Sequence, residues 1–471
     1  MLYWLVIGYL IKVSGRPSPF VSARTINRRG LPLHVVFGTS GIRGRVGEDV
    51  TAELALSVGR SLGSTVDSAV VGRDPRESGT VLADALSAGL RECGAEVCRL
   101  GLAATPTVAR SVAWRDADAG VSVTASHNPP PDNGIKLWTP SGQAFDESRR
   151  RAVVERIEGD EYDLGEWDGI GHEQSWDGAT DRHAAALVDG VDVDAATSVV
   201  VDVGNGVGGV TADALRRLGC DVETLNADPD GRFPGRPSEP TADHCRSLCA
   251  HVAATDADLG VAHDGDADRT MAVDETGDFL GGDELLALFA REAAGTGDRV
   301  AAPLNTSLAV DDALREVGAT VERTRVGDVF VAEAAAADGV AFGGEPSGAW
   351  IWPDETLCPD GPLAACKLAG MVSRHGPLSA MVDGLGEYPI RRESVQVEDK
   401  AAVMDRVATA VEAAHSGVET TDGVRVAVDD GWFLIRASGT QPLVRVTAEA
   451  RDAEGADDLF DRAMAFVQGA Q

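Results

Sequence analysis

From Val35 onward, short β-branched runs alternate with Ala- and Leu-rich stretches of helical period, and this alternation commits the chain to an α/β architecture. Ser68–Val71 leads through a glycine-containing turn to a predicted helix around Thr80–Leu90. Ser198–Val203 leads through a second glycine turn to a helix at Thr211–Leu218 and a strand at Asp221–Leu225. Leu259–Ala262 and Thr270–Val273 read as two strands flanking a polar loop. The breaks fall in acidic, glycine-rich connectors: Gly159–Thr180, Gly277–Gly282 and Asp383–Glu387. The last segment reads as short strands at Val424–Val428, Trp432–Ile435 and Val444–Ala448, with helices at Ala401–Ala414 and Ala453–Val467. The 471 residues leave room for three or four domains of ~100–150 residues each.

Charge narrows the function classes. There are 75 acidic against 42 basic residues, a net charge of −33. Such a surface repels nucleic-acid phosphates, which require a basic stripe. Aromatics at 5% are too few for a base-stacking platform. Only Lys12, Lys136, Lys367 and Lys400 are lysine, and the acids are spread over most of the chain, as expected of a halophile's cytoplasmic protein kept soluble by carboxylates. Seven cysteines without regular spacing point to a reducing compartment and away from a disulfide scaffold. His244, Cys245, Cys249, His251 and His263 match no common zinc spacing, and Cys245–His251 reads as one helix.

Residues 1–47 contain no Asp or Glu. The apolar opening Met1–Val13 is shorter than the ~20 residues that span a bilayer, and it lacks the basic leader of a signal peptide. The expectation is an over-extended start, with residues 1–33 a non-native or disordered extension and no membrane association.

Four loops carry residues suited to chemistry. The strand Gly120–Val123 runs into Thr124-Ala125-Ser126-His127-Asn128-Pro129, with Lys136 shortly after. A serine on a proline-bounded loop beside a histidine and a rare lysine suits a nucleophile or phosphate carrier, or a plain capping turn. Asp264-Gly265-Asp266-Ala267-Asp268-Arg269 offers three carboxylates at alternate positions to one hard cation such as Mg²⁺. An EF-hand is opposed by Arg269 at the position that needs glycine and by the strands on either side. Glu345 and Ser347, on the glycine-rich loop Gly343–Gly348, can hydrogen-bond sugar hydroxyls, although such a loop alone is also an ordinary turn. Arg436, Ser438, Gly439, Thr440 and Arg445 combine hydroxyls, free N–H groups and forked guanidinium donors into a phosphate cradle. Gly204–Gly209 fits the dinucleotide pattern GxGxxG, but glycine turns after strands need no nucleotide.

In this order, and preceded by Phe37-Gly38-Thr39-Ser40-Gly41-Ile42-Arg43-Gly44, the loops resemble the α-D-phosphohexomutase superfamily from about Val35 to the C-terminus. The opening signature and the metal loop are most like those of its phosphoglucosamine mutases, archaeal ones in particular. The resemblance implies four domains around a central cleft: three related α/β modules with mixed sheets at 34–170, 171–278 and 279–384, and a smaller α+β domain at 385–471. It implies a phosphorylated Ser126 that gives its phosphoryl group to a hexose phosphate, a sugar 1,6-bisphosphate that turns over in the cleft, and the return of the other phosphate to Ser126. It further implies Mg²⁺ on Ser126, Asp264, Asp266 and Asp268, assistance from Arg43, His127 and Lys136 at the serine, and Arg269 beside the substrate. Glu345 and Ser347 would hold the sugar, and Arg436, Ser438, Gly439, Thr440 and Arg445 the non-reacting phosphate. Two departures stand out. Ala349 occupies a position where many relatives carry histidine, and Gln441 one where glutamate is usual.

The leading expectation is interconversion of glucosamine 6-phosphate and glucosamine 1-phosphate. The alternatives are the same chemistry on glucose or mannose phosphates, and a phosphosugar-binding protein without turnover.

Overall fold

A computed structural model describes residues 37–38, 41–194, 196–438 and 442–471. The expected extension at 1–33, and Gly439, Thr440 and Gln441, lie outside these residues. The first module contains β1 (Ile42–Arg45), α1 (Ala52–Gly63), β2 (Ser68–Arg73), α2 (Gly79–Glu92), β3 (Glu96–Leu102), α3 (Thr105–Trp114), β4 (Ala119–Val123), β5 (Asp132–Trp138), α4 (Glu147–Gly159) and β6 (Glu173–Ser175). Its six strands form a mixed sheet in the order β1-β5-β4-β2-β3-β6. β2 pairs parallel with β3 and β4, while β5 runs antiparallel to β4 and β1. β4 is buried along its whole length, as an apolar run covered on both faces should be. β6 lies inside the connector Gly159–Thr180. Its residues are all exposed, so no apolar pattern marked it as an edge strand of the first sheet.

The second module contains α5 (Ala179–Asp189), β7 (Ser198–Asp202), α6 (Gly209–Arg217), β8 (Asp221–Leu225), α7 (Arg246–Ala253), β9 (Leu259–His263) and β10 (Thr270–Asp274). Its sheet has the order β10-β9-β7-β8. The third contains α8 (Gly282–Ala293), β11 (Arg299–Pro303), α9 (Leu308–Val317), β12 (Thr320–Thr324), α10 (Asp328–Ala335), β13 (Val340–Glu345), β14 (Ala349–Ile351), α11 (Gly361–His375) and α12 (Leu378–Val382). Its sheet has the order β12-β11-β13-β14. The fourth contains β15 (Ile390–Gln396), α13 (Lys400–Ala414), β16 (Val424–Val428), β17 (Gly431–Ala437), β18 (Leu443–Ala450) and α14 (Ala453–Ala470). It forms an antiparallel sheet in the order β15-β18-β17-β16.

One apolar core joins the second and third modules, running from Val199, Val201 and Val261 to Leu286, Phe289, Phe342, Trp350 and Leu368. The fourth module has its own core around Val407, Phe433, Val446 and Val467. All seven cysteines are free thiols. Among the described residues no helix is long and apolar enough to cross a membrane.

Candidate active site

The acidic loop caps the β9–β10 hairpin, with His263 and Thr270 paired at its base. Asp264, Asp266 and Asp268 are all buried, and one oxygen from each lies within 4.8 Å of the others. Among the described residues this is the only such convergence of three metal-ligating side chains. The histidine–cysteine group forms no such cluster. His263 instead props the loop: its Nε2 lies 2.8 Å from Thr211 Oγ1, and its Nδ1 lies 3.0 Å from the Arg269 carbonyl and 2.9 Å from Thr270 Oγ1. Burial lowers its pKa to about 4, so it stays neutral.

The glycine-rich turn after β7 forms the floor of this loop. Val207 N–H donates to the Gly265 carbonyl at 3.2 Å, and a Cβ on Gly208 would stand 2.8 Å from the His263 ring. Close packing and a left-handed backbone account for two of the three pattern glycines: a Cβ on Gly206 would stand 2.7 Å from the Gly265 carbonyl oxygen and one on Gly204, at φ +62°, 2.6 Å from Arg236, whereas Gly209 has open space around it. Arg236 completes the support, with Nη2 donating to the His263 carbonyl at 2.6 Å and Nε to Asp202 at 2.6 Å.

Three carboxylates this close repel one another unless cations lie among them. Lys136, on β5, supplies one, pairing with Asp266 at 2.7 Å and with Asp268. Burial opposes its charge, but Asp266 and Asp268 outweigh burial and hold its pKa above the ordinary lysine value. Thr105, at the start of α3, donates its hydroxyl to Asp266 Oδ2 at 2.6 Å. Asp266 Oδ1 and Asp268 Oδ1 remain buried without a hydrogen-bond partner among the described residues. Asp264 is pushed well above the usual carboxylate range, by burial first and then by Asp266 and Asp268. Hard, anionic, under-satisfied oxygens in this number suit a divalent cation with an oxygen preference.

Ser126 faces this group from the first module. Its Oγ donates to Asp264 Oδ2 at 2.6 Å, and His127 Nδ1 lies 3.4 Å from the same Oγ. His127 is held neutral, with its pKa lowered to about 3 by burial and by the neighbouring cations Arg269, Arg43 and Lys136. Ser126 has φ +53°, a left-handed conformation that a non-glycine residue adopts only when its surroundings enforce it. Arg76 does much of the enforcing. Its Nη2 donates to the carbonyls of Ser126 at 2.9 Å and Asn128 at 2.6 Å, and its Nη1 to those of Pro129 at 2.7 Å and Asp132 at 2.9 Å. Asp74 balances its charge at 2.9 Å and also accepts from Thr124 Oγ1, which in turn accepts from Ser126 N–H. Ser238 of the second module donates to the Ser126 carbonyl at 3.0 Å.

The sequence reading did not single out Arg76, Asp74, Thr105, Ser238 or Arg236. Asp-Pro-Arg directly after a buried strand is the one available signal, and in so acidic a chain it looks like a surface turn. Arg43, on β1, sits opposite Gly134, and its Nε is buried with no hydrogen-bond partner among the described residues.

Glu345 ends β13 and Ser347 lies on the turn between β13 and β14. This turn is stitched to the acidic loop: Thr270 N–H donates to the Gly348 carbonyl at 3.0 Å, and Arg269 bridges Ala349. Burial and then Asp328 raise the pKa of Glu345, while Arg269 and Arg436 oppose the rise. Arg269 thus links the two loops electrostatically, acting on Asp264 and Asp268 on one side and on Glu345 on the other. Arg436 and Arg445 are directly opposed across β17–β18. Arg436 pairs with Asp422 at 3.0 Å, and the Ser438 carbonyl accepts from Lys400 at 2.6 Å. Gly439 and Thr440, expected in the same cradle, lie outside the described residues.

A serine on the loop after β4 facing a buried carboxylate triad, with polar loops on two further modules, defines a multidomain enzyme built for a small anionic substrate. Residues 34–163, 181–277 and 281–388 match the family described as phosphoglucomutase/phosphomannomutase, alpha/beta/alpha domains I, II and III, and residues 394–465 match its C-terminal domain. A probable phosphoglucosamine mutase of Methanopyrus kandleri is 46% identical over 442 residues, covering 92% of this chain and 97% of the relative. Another from Methanococcoides burtonii is 45% identical over 438 residues, covering 92% and 99%. A solved phosphoglucomutase/phosphomannomutase family protein from Burkholderia thailandensis superposes with TM-score 0.83 at 29% identity, covering 92% of this chain and 98% of that one. The chain belongs to the phosphoglucomutase/phosphomannomutase family of α-D-phosphohexomutases, isomerase-class phosphotransferases.

Proposed function

We propose that the chain is a phosphoglucosamine mutase, interconverting glucosamine 6-phosphate and glucosamine 1-phosphate through phosphorylated Ser126 and a sugar 1,6-bisphosphate. The observation that carries the chemistry is the 2.6 Å bond from Ser126 Oγ to Asp264, beside two carboxylate oxygens without partners. The shared name of the archaeal relatives, at 46% and 45% identity, supports the amino-sugar substrate.

Asp264, Asp266, Asp268 and the Ser126 oxygen would hold Mg²⁺, which when bound neutralises charge on the transferring phosphoryl group. In transfer, a sugar hydroxyl attacks the phosphorus of phosphoserine, the P–O bond to Ser126 Oγ breaks, and its electron pair returns to that oxygen. The hydroxyl proton needs an acceptor, and Ala349 leaves none after the sugar loop. The proton ends on the freed Ser126 oxygen, and His127, with Nδ1 3.4 Å from Ser126 Oγ, is placed to pass it there, whereas Lys136 is held charged by its two aspartates. Lys136, Arg43 and Arg269 balance the negative charge around the serine. Glu345 and Ser347 hold the sugar hydroxyls in either orientation. Arg436 and Arg445 face one another as like charges, an arrangement that a phosphate between them relieves, with Ser438, Gly439 and Thr440 adding donors. Free thiols throughout support a reducing, cytoplasmic setting.

The test is turnover in high KCl with Mg²⁺ and a trace of the matching bisphosphate, comparing kcat/KM for glucosamine, glucose and mannose phosphates. A clear preference for glucosamine phosphate is expected. A preference for glucose or mannose phosphate would replace the substrate and keep the mechanism. Binding without turnover and without phosphorylated Ser126 would refute the catalytic reading.

A further inference from the structure

The loop assigned to the sugar and the strands assigned to the phosphate belong to different modules, yet a continuous set of contacts joins them. Gly282, the first residue of α8, lies so close to the sugar loop that a Cβ there would stand 1.7 Å from the Pro346 carbonyl oxygen. The next residue, Asp283, accepts the Ser307 N–H at 3.1 Å. Ser307 caps α9 and donates its hydroxyl at 2.6 Å to Glu449, on β18 of the fourth module. Glu449 is 2% exposed and also accepts Leu308 N–H and Trp432 Nε1, each at 2.8 Å. Leu304, Trp432 and Leu434 form an apolar seat around it, with Leu308 packed against them. β17 and β18 run from this seat to Arg436, Ser438 and Arg445. At their far end, Asp422 accepts both Val326 N–H of the third module and Arg436 Nη1, each at 3.0 Å.

A buried carboxylate whose three donors come from two modules ties those modules together at that point. We propose that Glu449 is a positioning residue: through Ser307 and Asp283 it sets the distance from the phosphate end of the fourth module to the sugar loop of the third, matching the cleft to one length of hexose phosphate. This rests on the roles given above to Glu345, Ser347, Arg436 and Arg445.

The test uses the full-length chain with Glu449→Gln, Ser307→Ala and their combination, measuring kcat and KM for glucosamine 6-phosphate and competitive inhibition by inorganic phosphate. Inorganic phosphate engages the phosphate end alone, so its inhibition constant does not depend on the separation. The expected result is a KM raised on the order of ten- to a hundredfold, with kcat changed far less and inhibition by inorganic phosphate unchanged. The two single variants should also be non-additive, because they break one contact. An unchanged KM in a folded variant that merely melts earlier would overturn the proposal, as would phosphate inhibition weakening in step with KM. Where Glu449→Gln does not fold, Ser307→Ala is read by the same criteria, since it leaves Glu449 bonded to Leu308 and Trp432. A parent enzyme that turns over no phosphosugar refutes the functional reading instead. The relay is then tested by calorimetry, as a selective loss of affinity for hexose phosphate over inorganic phosphate.

Discussion

Ser126 of the first module and Asp264 of the second share a 2.6 Å hydrogen bond across 138 residues of chain. The serine and the carboxylate triad are thus brought together by module docking, with the serine in a left-handed backbone conformation. Ser126→Ala removes the acceptor of the phosphoryl group and little else. Turnover should fall at least about 10³-fold, intact mass should show no phosphorylated protein, and the thermal midpoint should shift by only a few degrees. Appreciable mutase activity in this variant would exclude Ser126 as the carrier.

Asp266 holds both Lys136 and Thr105 through one oxygen while its other oxygen has no partner among the described residues. Asp266→Asn should therefore lower kcat by at least about a hundredfold, with no recovery in saturating Mg²⁺. It should also weaken the stabilisation that Mg²⁺ confers, which for a parent saturated at a hundred times its Kd amounts to about 2.7 kcal/mol. Titrating Mg²⁺ against the thermal midpoint of parent and variant measures this. Equal shifts in the two proteins would refute the metal assignment.

Arg76 and Asp74 form a fully buried ion pair whose cation also binds four carbonyls of the serine loop. Arg76→Met strands Asp74 and leaves those carbonyls without a donor, so about 3–5 kcal/mol of stability should be lost in urea unfolding. Arg76→Lys supplies one point charge in place of a planar fork and should recover only part of it. A loss below 1 kcal/mol for the methionine variant, on the order of a surface substitution, would show that the loop holds itself.

Burial, helped by Glu449 and opposed by the Ser307 N–H, pushes the Asp283 pKa from the ordinary 3.8 up to about 6. The folded chain therefore binds this proton more tightly than the unfolded chain does, and the group's contribution to stability falls as pH rises from about 4 to about 6. Asp283→Asn keeps an acceptor for Ser307 and removes the charge. It should be more stable than the parent at pH 7, by at most about 3 kcal/mol and less where solvent screens the carboxylate. At pH 4 the two should be nearly equal. Urea unfolding at both pH values decides, and the same difference at each would sink the assignment.

What could be read from the residues alone was local. The strands flanking Asp264–Arg269, the helix after Gly204–Gly209 and the three polar loops around Ser126, Glu345 and Arg436 all announce themselves within a few consecutive residues. What escaped is long-range or patternless. Thr105 meets Asp266 across 161 residues and Ser307 meets Glu449 across 142, and neither spacing carries a signal in one sequence. Arg76 reads as one more surface arginine until its burial is known. β6 is polar on both faces, so alternation could not reveal it. The GxGxxG turn shows the reverse case, a strong pattern two of whose glycines, Gly204 and Gly206, make room for Arg236 and the Gly265 carbonyl.

The distribution of the site over separate modules also orders events during synthesis. The serine loop leaves the ribosome long before Asp264, the sugar loop follows later, and the arginines of β17 and β18 come near the end. No fragment holding one module carries Ser126, the carboxylate triad and the arginines of β17 and β18 together. The parts meet only where the modules dock, as the Ser126–Asp264 bond shows.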